Sequence, residues 1–162
     1  MFFSGTTQKS LILVAEDDSD DRFLLEDAIK RRPFSSCFTF VEDGEQVMDY
    51  LFKRGDFTEG NHRKYPSLII LDLNMPRKDG REVLKEIKSH PELCRIPIII
   101  FSTSVSKDDL IFAYSNGANA FILKPSSFSK LVEIVESIDN FWFNIATLIP
   151  SEISFLDLPV CS

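Results

Sequence analysis

The chain has 162 residues and a formal net charge of -7, with 44% hydrophobic and 27% charged residues. This length fits one domain, and the composition is that of a globular protein rather than a disordered or fibrous one. The acidic balance argues against a nucleic-acid-binding surface, which needs clustered Lys and Arg. We therefore expect a single globular domain that does not bind nucleic acid.

The cysteines and the apolar runs bear on the cellular location. Cys37, Cys94 and Cys161 are odd in number and lack metal-ligand spacing, which predicts neither a disulfide framework nor a zinc site. No apolar run approaches the roughly 20 residues that span a bilayer. The polar N-terminal segment before residue 10 is unlike a signal peptide. These features favour a cytoplasmic location without membrane contact.

Short apolar segments alternate with segments of helical periodicity along the chain. Residues 11–15 are a continuous apolar run that ends at acidic residues, which predicts a buried parallel strand. Ser19 or Asp20 can then cap a helix that ends before Pro33. The same order recurs four more times, with strands at 38–41, 68–71, 96–101 and 120–123 and helices at 45–52, 81–89, 107–115 and 128 to about 149.

Five strand–helix units with short, wholly apolar strands predict one fold class. Such strands are buried on both faces, so we expect an α/β fold with a doubly wound parallel sheet covered by helices on both sides. The connection 53–67 contains Gly55, Gly60, Asn61 and Pro66 and is predicted to be an exposed loop. In sheets of this type the reactive groups lie at the carboxyl ends of the strands.

Polar side chains stand at four of the predicted strand ends. They are Glu16 and Asp17 after the first strand, Asp72 after the third, Ser102 and Thr103 after the fourth, and Lys124 after the fifth. Because parallel strands end at the same edge, three carboxylates and one amine should converge there. Carboxylates that are close together repel unless a cation lies between them, and Mg²⁺ is a hard ion that binds such groups. We therefore predict a Mg²⁺ site, in which Mn²⁺ could substitute.

Each of these residues also has a simpler structural interpretation. Asp17 and Asp18 could end the strand and cap the following helix, and Asp72 could start a turn before Pro76. Lys124 could be a solvated loop lysine, and Ser102 a small polar residue at a strand end. Their joint occurrence on successive strand ends favours a common site.

Together these residues resemble the receiver domains of two-component response regulators. The matching features are the acid pair 16–17, Asp72 within the segment Leu-Asp-Leu-Asn-Met-Pro-Arg-Lys-Asp-Gly, the hydroxyl of Ser102, the aromatic ring of Phe121, and Lys124-Pro125. The resemblance covers about residues 9–149 and leaves 150–162 as a C-terminal tail. Two residues depart from the family pattern, because Glu16 stands in place of Asp and Phe121 in place of Tyr.

The resemblance implies a (βα)5 flavodoxin-like receiver fold, one domain over residues 1–162, and a phosphoacceptor protein rather than an enzyme. Asp72 would accept a phosphoryl group from a histidine kinase. Glu16, Asp17, Asp72 and the main chain of Asn74 would hold Mg²⁺.

The remaining site residues are also assigned by the resemblance. Lys124, Ser102 and the main chain of Thr103 would contact the phosphoryl group after transfer. Phe121 would act as the switch aromatic that reshapes the surface formed by the fourth helix, the fifth strand and the fifth helix. Asn74 and Ser104 would set the rate at which the phosphoryl group is hydrolysed.

Within the family, the chain looks most like the single-domain regulators that partner phytochromes. The shared features are the Glu-Asp-Asp start, the long loop before the third strand and Phe-Trp in the last helix. This similarity implies a stand-alone regulator with a phytochrome-type histidine kinase upstream and an unknown protein downstream.

Two other functions fit these residues less well. A phosphohydrolase with an aspartate nucleophile would need a second aspartate two residues later, where this chain has Asn74. A receiver-like scaffold that no longer accepts phosphate would be expected to lack Asp72 or Lys124, and both are present.

The last predicted helix carries more apolar surface than one core should need. A first row repeats at steps of four and three and consists of Leu131, Val135, Ile138, Trp142, Ile145 and Ile149; a second row consists of Ile134, Phe141 and Leu148. We predict that the second row forms a homodimer interface, because monomers rarely expose such a patch. The alternative is that the tail 151–162 folds back over it.

Overall fold

The protein is a five-stranded parallel sheet with helices on both faces. The computed structural model describes residues 9–58, 65–103, 106–149 and 158–159. The strand order is β2-β1-β3-β4-β5, and the direction of winding reverses between β1 and β3, which confirms the predicted doubly wound fold. The strands are β1 (Ser10–Ala15), β2 (Ser36–Val41), β3 (Leu68–Leu71), β4 (Ile98–Ser102) and β5 (Ala120–Leu123).

Two apolar layers hold the helices to the sheet. The helices are α1 (Ser19–Lys30), α2 (Gly44–Phe52), α3 (Gly80–Ser89), α4 (Lys107–Ser115) and α5 (Phe128–Asp139). Successive strand residues point to opposite faces, so Leu13 packs on the side of α2, α3 and α4, whereas Ile12 packs on the side of α1 and α5. All four residues of β3 are buried.

Several boundaries differ from the sequence prediction for local reasons. Strand β4 begins at Ile98 rather than at residue 96, because Leu93–Arg95 form a 3-10 turn and Pro97 has no N–H to donate. The residue that caps α1 is Asp18, which agrees with the simpler structural interpretation of the acidic residues and not with a cap at Ser19 or Asp20. Part of the predicted exposed loop, Gly55–Phe57, is a 3-10 turn whose Phe57 packs half-buried against the core. Pro66 of the same loop is buried, so the prediction of full exposure is wrong there, while Gly60 and Asn61 lie outside the described residues.

The prediction that the last helix reaches about residue 149 is wrong. Helix α5 ends at Asp139, continues as a wider π-helical turn over Asn140–Ile145, and stops at Ala146, which is extended. Pro150 follows in the sequence, and a proline disfavours helical backbone in the residue before it, so the helix could not have continued through residue 149. The wider turn changes the phase of the apolar rows, so that Ile145 is 65% exposed although Ile138 is buried.

Two observations bear on the predicted environment. Cys94 is disulfide-bonded, whereas Cys37 is a free and exposed thiol. The prediction of no disulfide is therefore wrong for Cys94, and the cysteines no longer argue for a reducing compartment. Within the described residues, every helix is too short or too polar to cross a bilayer.

Candidate functional site

The carboxyl ends of the strands bring the predicted polar residues together at one edge of the sheet. Glu16 directly follows β1, Asp72 follows β3, and Lys124 follows β5. Main-chain hydrogen bonds fix this arrangement: the Asp72 N–H donates to the Ala15 carbonyl at 3.2 Å, and the Lys124 N–H donates to the Ser102 carbonyl at 2.8 Å. Both side chains therefore start from backbone that belongs to the sheet.

The ammonium group of Lys124 is the positive centre of the site. Its Nζ donates to Glu16 Oε2 at 2.5 Å, to Asp72 Oδ2 at 2.8 Å and to Asp21 Oδ2 at 2.9 Å. An ammonium has three N–H donors, so each has a carboxylate acceptor. Burial disfavours the charged form, but the hydrogen bonds that the ammonium donates to Asp72, Glu16 and Asp21 outweigh this effect and raise the pKa of Lys124.

The carboxylates of the site are more than one lysine can neutralise. Glu16 is 2% exposed, and its burial raises its pKa to about 7, against the opposing effect of Lys124. Burial raises the pKa of Asp17, with a smaller contribution from the nearby Asp72 carboxylate. Like charges and desolvation both oppose ionisation here, so a further cation would be stabilised by the site.

Three carboxylates are arranged as a group of possible metal ligands. Glu16, Asp17 and Asp72 each offer an oxygen, and these oxygens all lie within 4.8 Å of one another. The Asn74 N–H donates to Asp72 Oδ1 at 3.0 Å, which holds the main chain of Asn74 beside the group. Carboxylate and carbonyl oxygens are the ligands that hard divalent cations prefer. The residues therefore fit a divalent metal ion.

Ser102 has a hydroxyl group that the protein itself does not satisfy. The residue is fully buried at the end of β4, and its Oγ has no hydrogen-bond partner among the described residues. Buried hydroxyls are almost always paired, so an unpaired one at the same edge of the sheet as the carboxylates indicates a place for an absent acceptor. Thr103 follows it and is exposed.

Gly80 contributes to the site in a way that the sequence analysis did not assign. A Cβ atom at this position would lie 2.1 Å from the Asp72 carbonyl oxygen and 2.7 Å from the Leu73 Cα. The Gly80 N–H donates to the Leu73 carbonyl at 2.9 Å. Helix α3 can therefore start against the Asp72 segment only because residue 80 has no side chain. The Asp-Gly pair in the quoted segment was the available signal.

Asp21 is the second site residue that the sequence analysis missed. It lies in the first turn of α1 and contacts Lys124, as described above. Its position depends on the helix cap, because Asp18 accepts hydrogen bonds from the N–H groups of Asp20 and Asp21. The sequence offered Asp18, Ser19 and Asp20 as caps, and only a cap at Asp18 gives this position.

The predicted switch aromatic, Phe121, lies on β5, on the face of the sheet that α4 covers. Its side chain is half-buried and packs against the core on the α4 side of the sheet. Its N–H donates to the Tyr114 hydroxyl of α4 at 3.1 Å. The ring is thus linked by packing and by its own main chain to the helix that follows Ser102 and Thr103.

Comparison with known proteins assigns the family. The protein-family model described as "Response regulator receiver domain" matches residues 12–136. The chain belongs to this family. It is 38% identical to the response regulator Rcp1 of Synechocystis over 85% of this chain and 92% of that protein. It is also 39% identical to a probable methanogenesis regulatory protein, FilR2, of Methanothrix harundinacea, over 82% of this chain and 83% of that one.

Solved structures of relatives agree with the fold. The phosphorylated cyanobacterial phytochrome response regulator RcpA is 39% identical, with a TM-score of 0.80 over 88% of this chain and all of that one. The Mn²⁺-bound form of Rcp1 is 35% identical, with a TM-score of 0.77 over 87% of this chain and 99% of that one. The predicted receiver family and flavodoxin-like fold are confirmed, and the chain is a two-component signalling protein.

Proposed function

We propose that Asp72 accepts a phosphoryl group from a phosphohistidine of a partner kinase. The observation that carries this proposal is the environment of the Asp72 carboxylate at the end of the central strand. One oxygen accepts a hydrogen bond from Lys124 and the other from the Asn74 N–H, and the residue is buried next to further acids. A carboxylate held in this way is oriented for attack on phosphorus.

The transfer exchanges one bond to phosphorus for another. An Asp72 oxygen forms a bond to phosphorus while the phosphorus–nitrogen bond of the phosphohistidine breaks, and the imidazole leaves with the electron pair. Lys124 donates a hydrogen bond to a phosphoryl oxygen and balances its negative charge. The unpaired Ser102 hydroxyl and the Thr103 N–H supply two more donors to the transferred group.

We further propose that the metal ion is Mg²⁺, with Mn²⁺ as a substitute. Glu16, Asp17, Asp72 and the main-chain carbonyl of Asn74 would hold it, with Glu16 acting through a metal-bound water. When bound, the ion neutralises charge on the phosphoryl oxygens. Support comes from the three converging carboxylates and from the existence of a Mn²⁺-bound form of Rcp1.

The proposed output is a change at the surface formed by α4, β5 and α5. Recruitment of Ser102 and Thr103 to the phosphoryl group draws the start of α4 toward the site. Phe121 then turns inward and changes what a downstream protein meets at this surface. Asn74 and Ser104 govern loss of the phosphoryl group by hydrolysis, which the protein assists; Ser104 lies outside the described residues.

For the upstream partner we propose a phytochrome-type histidine kinase in the cytoplasm. The support is similarity to RcpA, whose structure is that of a phytochrome response regulator, and to Rcp1. The chain matches 92% of the length of Rcp1. The chain is about equally identical to FilR2, whose name refers to methanogenesis and not to light. A kinase that is not a photoreceptor should therefore be tested in parallel.

We also propose a homodimer through the C-terminal helix. Phe141 of the second apolar row is 51% exposed, and it lines a groove together with Ile122, Ile134 and Trp142. Burial of such side chains contributes about 1.5–3 kcal/mol each, so the row can support a two-fold interface. The alternative cover, the tail 151–162, is largely outside the described residues.

Sedimentation equilibrium at about micromolar concentration tests the dimer. The wild type is expected to sediment as a dimer and Phe141→Lys as a monomer. A monomeric wild type would contradict the proposal, and a Phe141→Lys dimer would move the interface elsewhere.

Labelling of the protein by a phosphorylated kinase tests the phosphoacceptor. Wild type is expected to gain acid-stable, base-labile phosphate, and Asp72→Asn to gain none, because the amide is a poor nucleophile of nearly the same shape. Asp20→Asn is the matched control, since it removes a carboxylate that is exposed in α1. Label of the same kind and amount on Asp72→Asn would refute the assignment.

A further inference from the structure

The unexpected member of the site is Asp21, the third carboxylate on Lys124. It comes from α1 rather than from a strand end, and it is not one of the three clustered carboxylates that can hold a metal ion. Its side chain is 35% exposed, whereas those of Glu16 and Asp72 are buried. Within the described part of the chain, Asp21 is thus the one acceptor of the Lys124 ammonium that does not belong to the group of possible metal ligands.

The position of Asp21 is fixed by the local structure of the helix. The side chain of Asp18 accepts the N–H groups of Asp20 at 2.9 Å and Asp21 at 3.0 Å, which orders the first turn of α1. From this turn Asp21 Oδ2 reaches Lys124 Nζ at 2.9 Å, and the pair joins α1 to the end of β5. Both Asp20 and Asp21 complement the helix dipole, but only Asp21 contacts Lys124 in the structure.

The three acceptors of Lys124 have different fates during phosphoryl transfer. Asp72 becomes the acyl phosphate, and Glu16 and Asp72 both belong to the group that would bind the metal ion. Each of these events engages carboxylate oxygens that otherwise accept hydrogen bonds from Lys124. Asp21 takes part in neither event, so its hydrogen bond to the ammonium can persist throughout.

We propose that Asp21 is a positioning residue for the phosphoryl transfer: it holds the Lys124 ammonium at the site while Glu16 and Asp72 are engaged by the metal ion and the phosphoryl group. This inference rests on the proposed phosphoacceptor function of Asp72. Without Asp21, the ammonium keeps only Glu16 and Asp72 as partners before transfer, and one of these is the nucleophile itself. Once these carboxylates are engaged, it is no longer restrained beside the phosphoryl oxygens.

The test is the rate of phosphorylation of the full chain by a small phosphodonor, acetyl phosphate, at saturating Mg²⁺. A small donor removes kinase docking from the measurement, which matters because Asp21 is partly exposed. Asp21→Asn is expected to be phosphorylated about tenfold more slowly, since an ion-paired hydrogen bond of this kind is worth roughly one factor of ten. Asp21→Glu, which keeps a carboxylate, is expected to recover part of the rate.

Asp20→Asn is the matched control, because it makes the same charge change in the same turn. It is expected to react at the wild-type rate, and the melting temperatures of the two Asn variants should agree within a few degrees. Equal rates for Asp21→Asn and Asp20→Asn, whether fast or slow, would overturn the proposal, as would a slow Asp21→Glu variant. If wild type gains no more label than Asp72→Asn, the proposed function itself fails. If wild type is labelled and the Asp21 variants react at the same rate as wild type, the positioning role alone fails.

Discussion

The two sides of the sheet differ in how much of their surface is buried. We call β1 and β3 with α3 the firm side, and β5 with α4 the loose side. Every residue of β3 is buried, whereas β5 has no fully buried residue and its last, Leu123, is 49% exposed. The adjacent helices differ in the same way, because α3 buries four residues and α4 buries only Ala113. The proposed nucleophile stands on the firm side and the proposed switch on the loose side. Precise geometry and easy displacement are thus separated within one sheet.

Polar contacts supply much of what holds the loose side in place. Arg81 of α3 donates to Asp109 of α4 from Nε at 3.1 Å and from a terminal nitrogen at 2.5 Å. The hydrogen bond from Arg81 lowers the pKa of Asp109. Arg81 also contacts the Asn74 side chain at 3.4 Å, next to Asp72. Partly exposed polar contacts of this type can be exchanged at smaller cost than core packing.

The largest expected effect is on the firm side. Ile69→Ala should lower the free energy of unfolding by about 3–4 kcal/mol, because it leaves a cavity in a fully packed core. Ile122→Ala, on the half-buried β5, should cost only about 1 kcal/mol. Urea unfolding followed by circular dichroism measures both. Equal losses would show that the two sides are equally well packed.

A smaller effect should come from the charges on the firm side. The pKa of Glu16 is raised to about 7 from 4.5, so between these values the folded protein binds more protons than the unfolded chain. In chelator, the free energy of unfolding should therefore fall by about 1–3 kcal/mol as the pH rises through this range.

Mg²⁺ should remove that loss. Thermal melts at about pH 5 and about pH 8, with and without millimolar Mg²⁺, are expected to show a larger stabilisation at the higher pH, since the carboxylates are then ionised. Asp17→Ala should abolish the shift. A melting temperature that ignores Mg²⁺ at both pH values would contradict the metal site.

The smallest effect should come from the polar contacts of α4. Arg81→Met is expected to lower the free energy of unfolding by less than about 1 kcal/mol, because the ion pair is partly exposed. The amides of α4 should nevertheless exchange hydrogen several-fold faster. Lys130→Met is the control, since it removes the exposed Lys130–Glu133 pair of α5. Unchanged exchange in α4 would show that Arg81 does not restrain this helix.

The sequence predicted the elements on both sides of the sheet, since the bounds of β5 and α4 are as predicted, like those of β3. The bounds of β3 are as predicted, because four apolar residues between polar neighbours leave little choice of register. The convergence of Asp72 and Lys124 also followed from the topology, since parallel strands end at one edge.

What the sequence could not predict depends on details that have no simple pattern. The contact of Asp21 with Lys124 depends on which residue caps α1, and several acids in a row offered a choice. The end of α5 depends on a π-helical turn, which disrupts a heptad-like pattern of apolar residues. The missing partner of the Ser102 hydroxyl depends on the packing of neighbouring elements.

Hydrogen exchange of the whole chain, before and after phosphorylation with acetyl phosphate and Mg²⁺, tests the central claim most directly. Before phosphorylation, the amides of β1 and β3 should exchange slowest and those of α4 and β5 faster. After phosphorylation, the rates should change in α4 and β5 and stay nearly constant in β1 and β3, and Asp72→Asn should show no change. Equal changes on both sides of the sheet, or the same changes in Asp72→Asn, would contradict the separation of chemistry from switching.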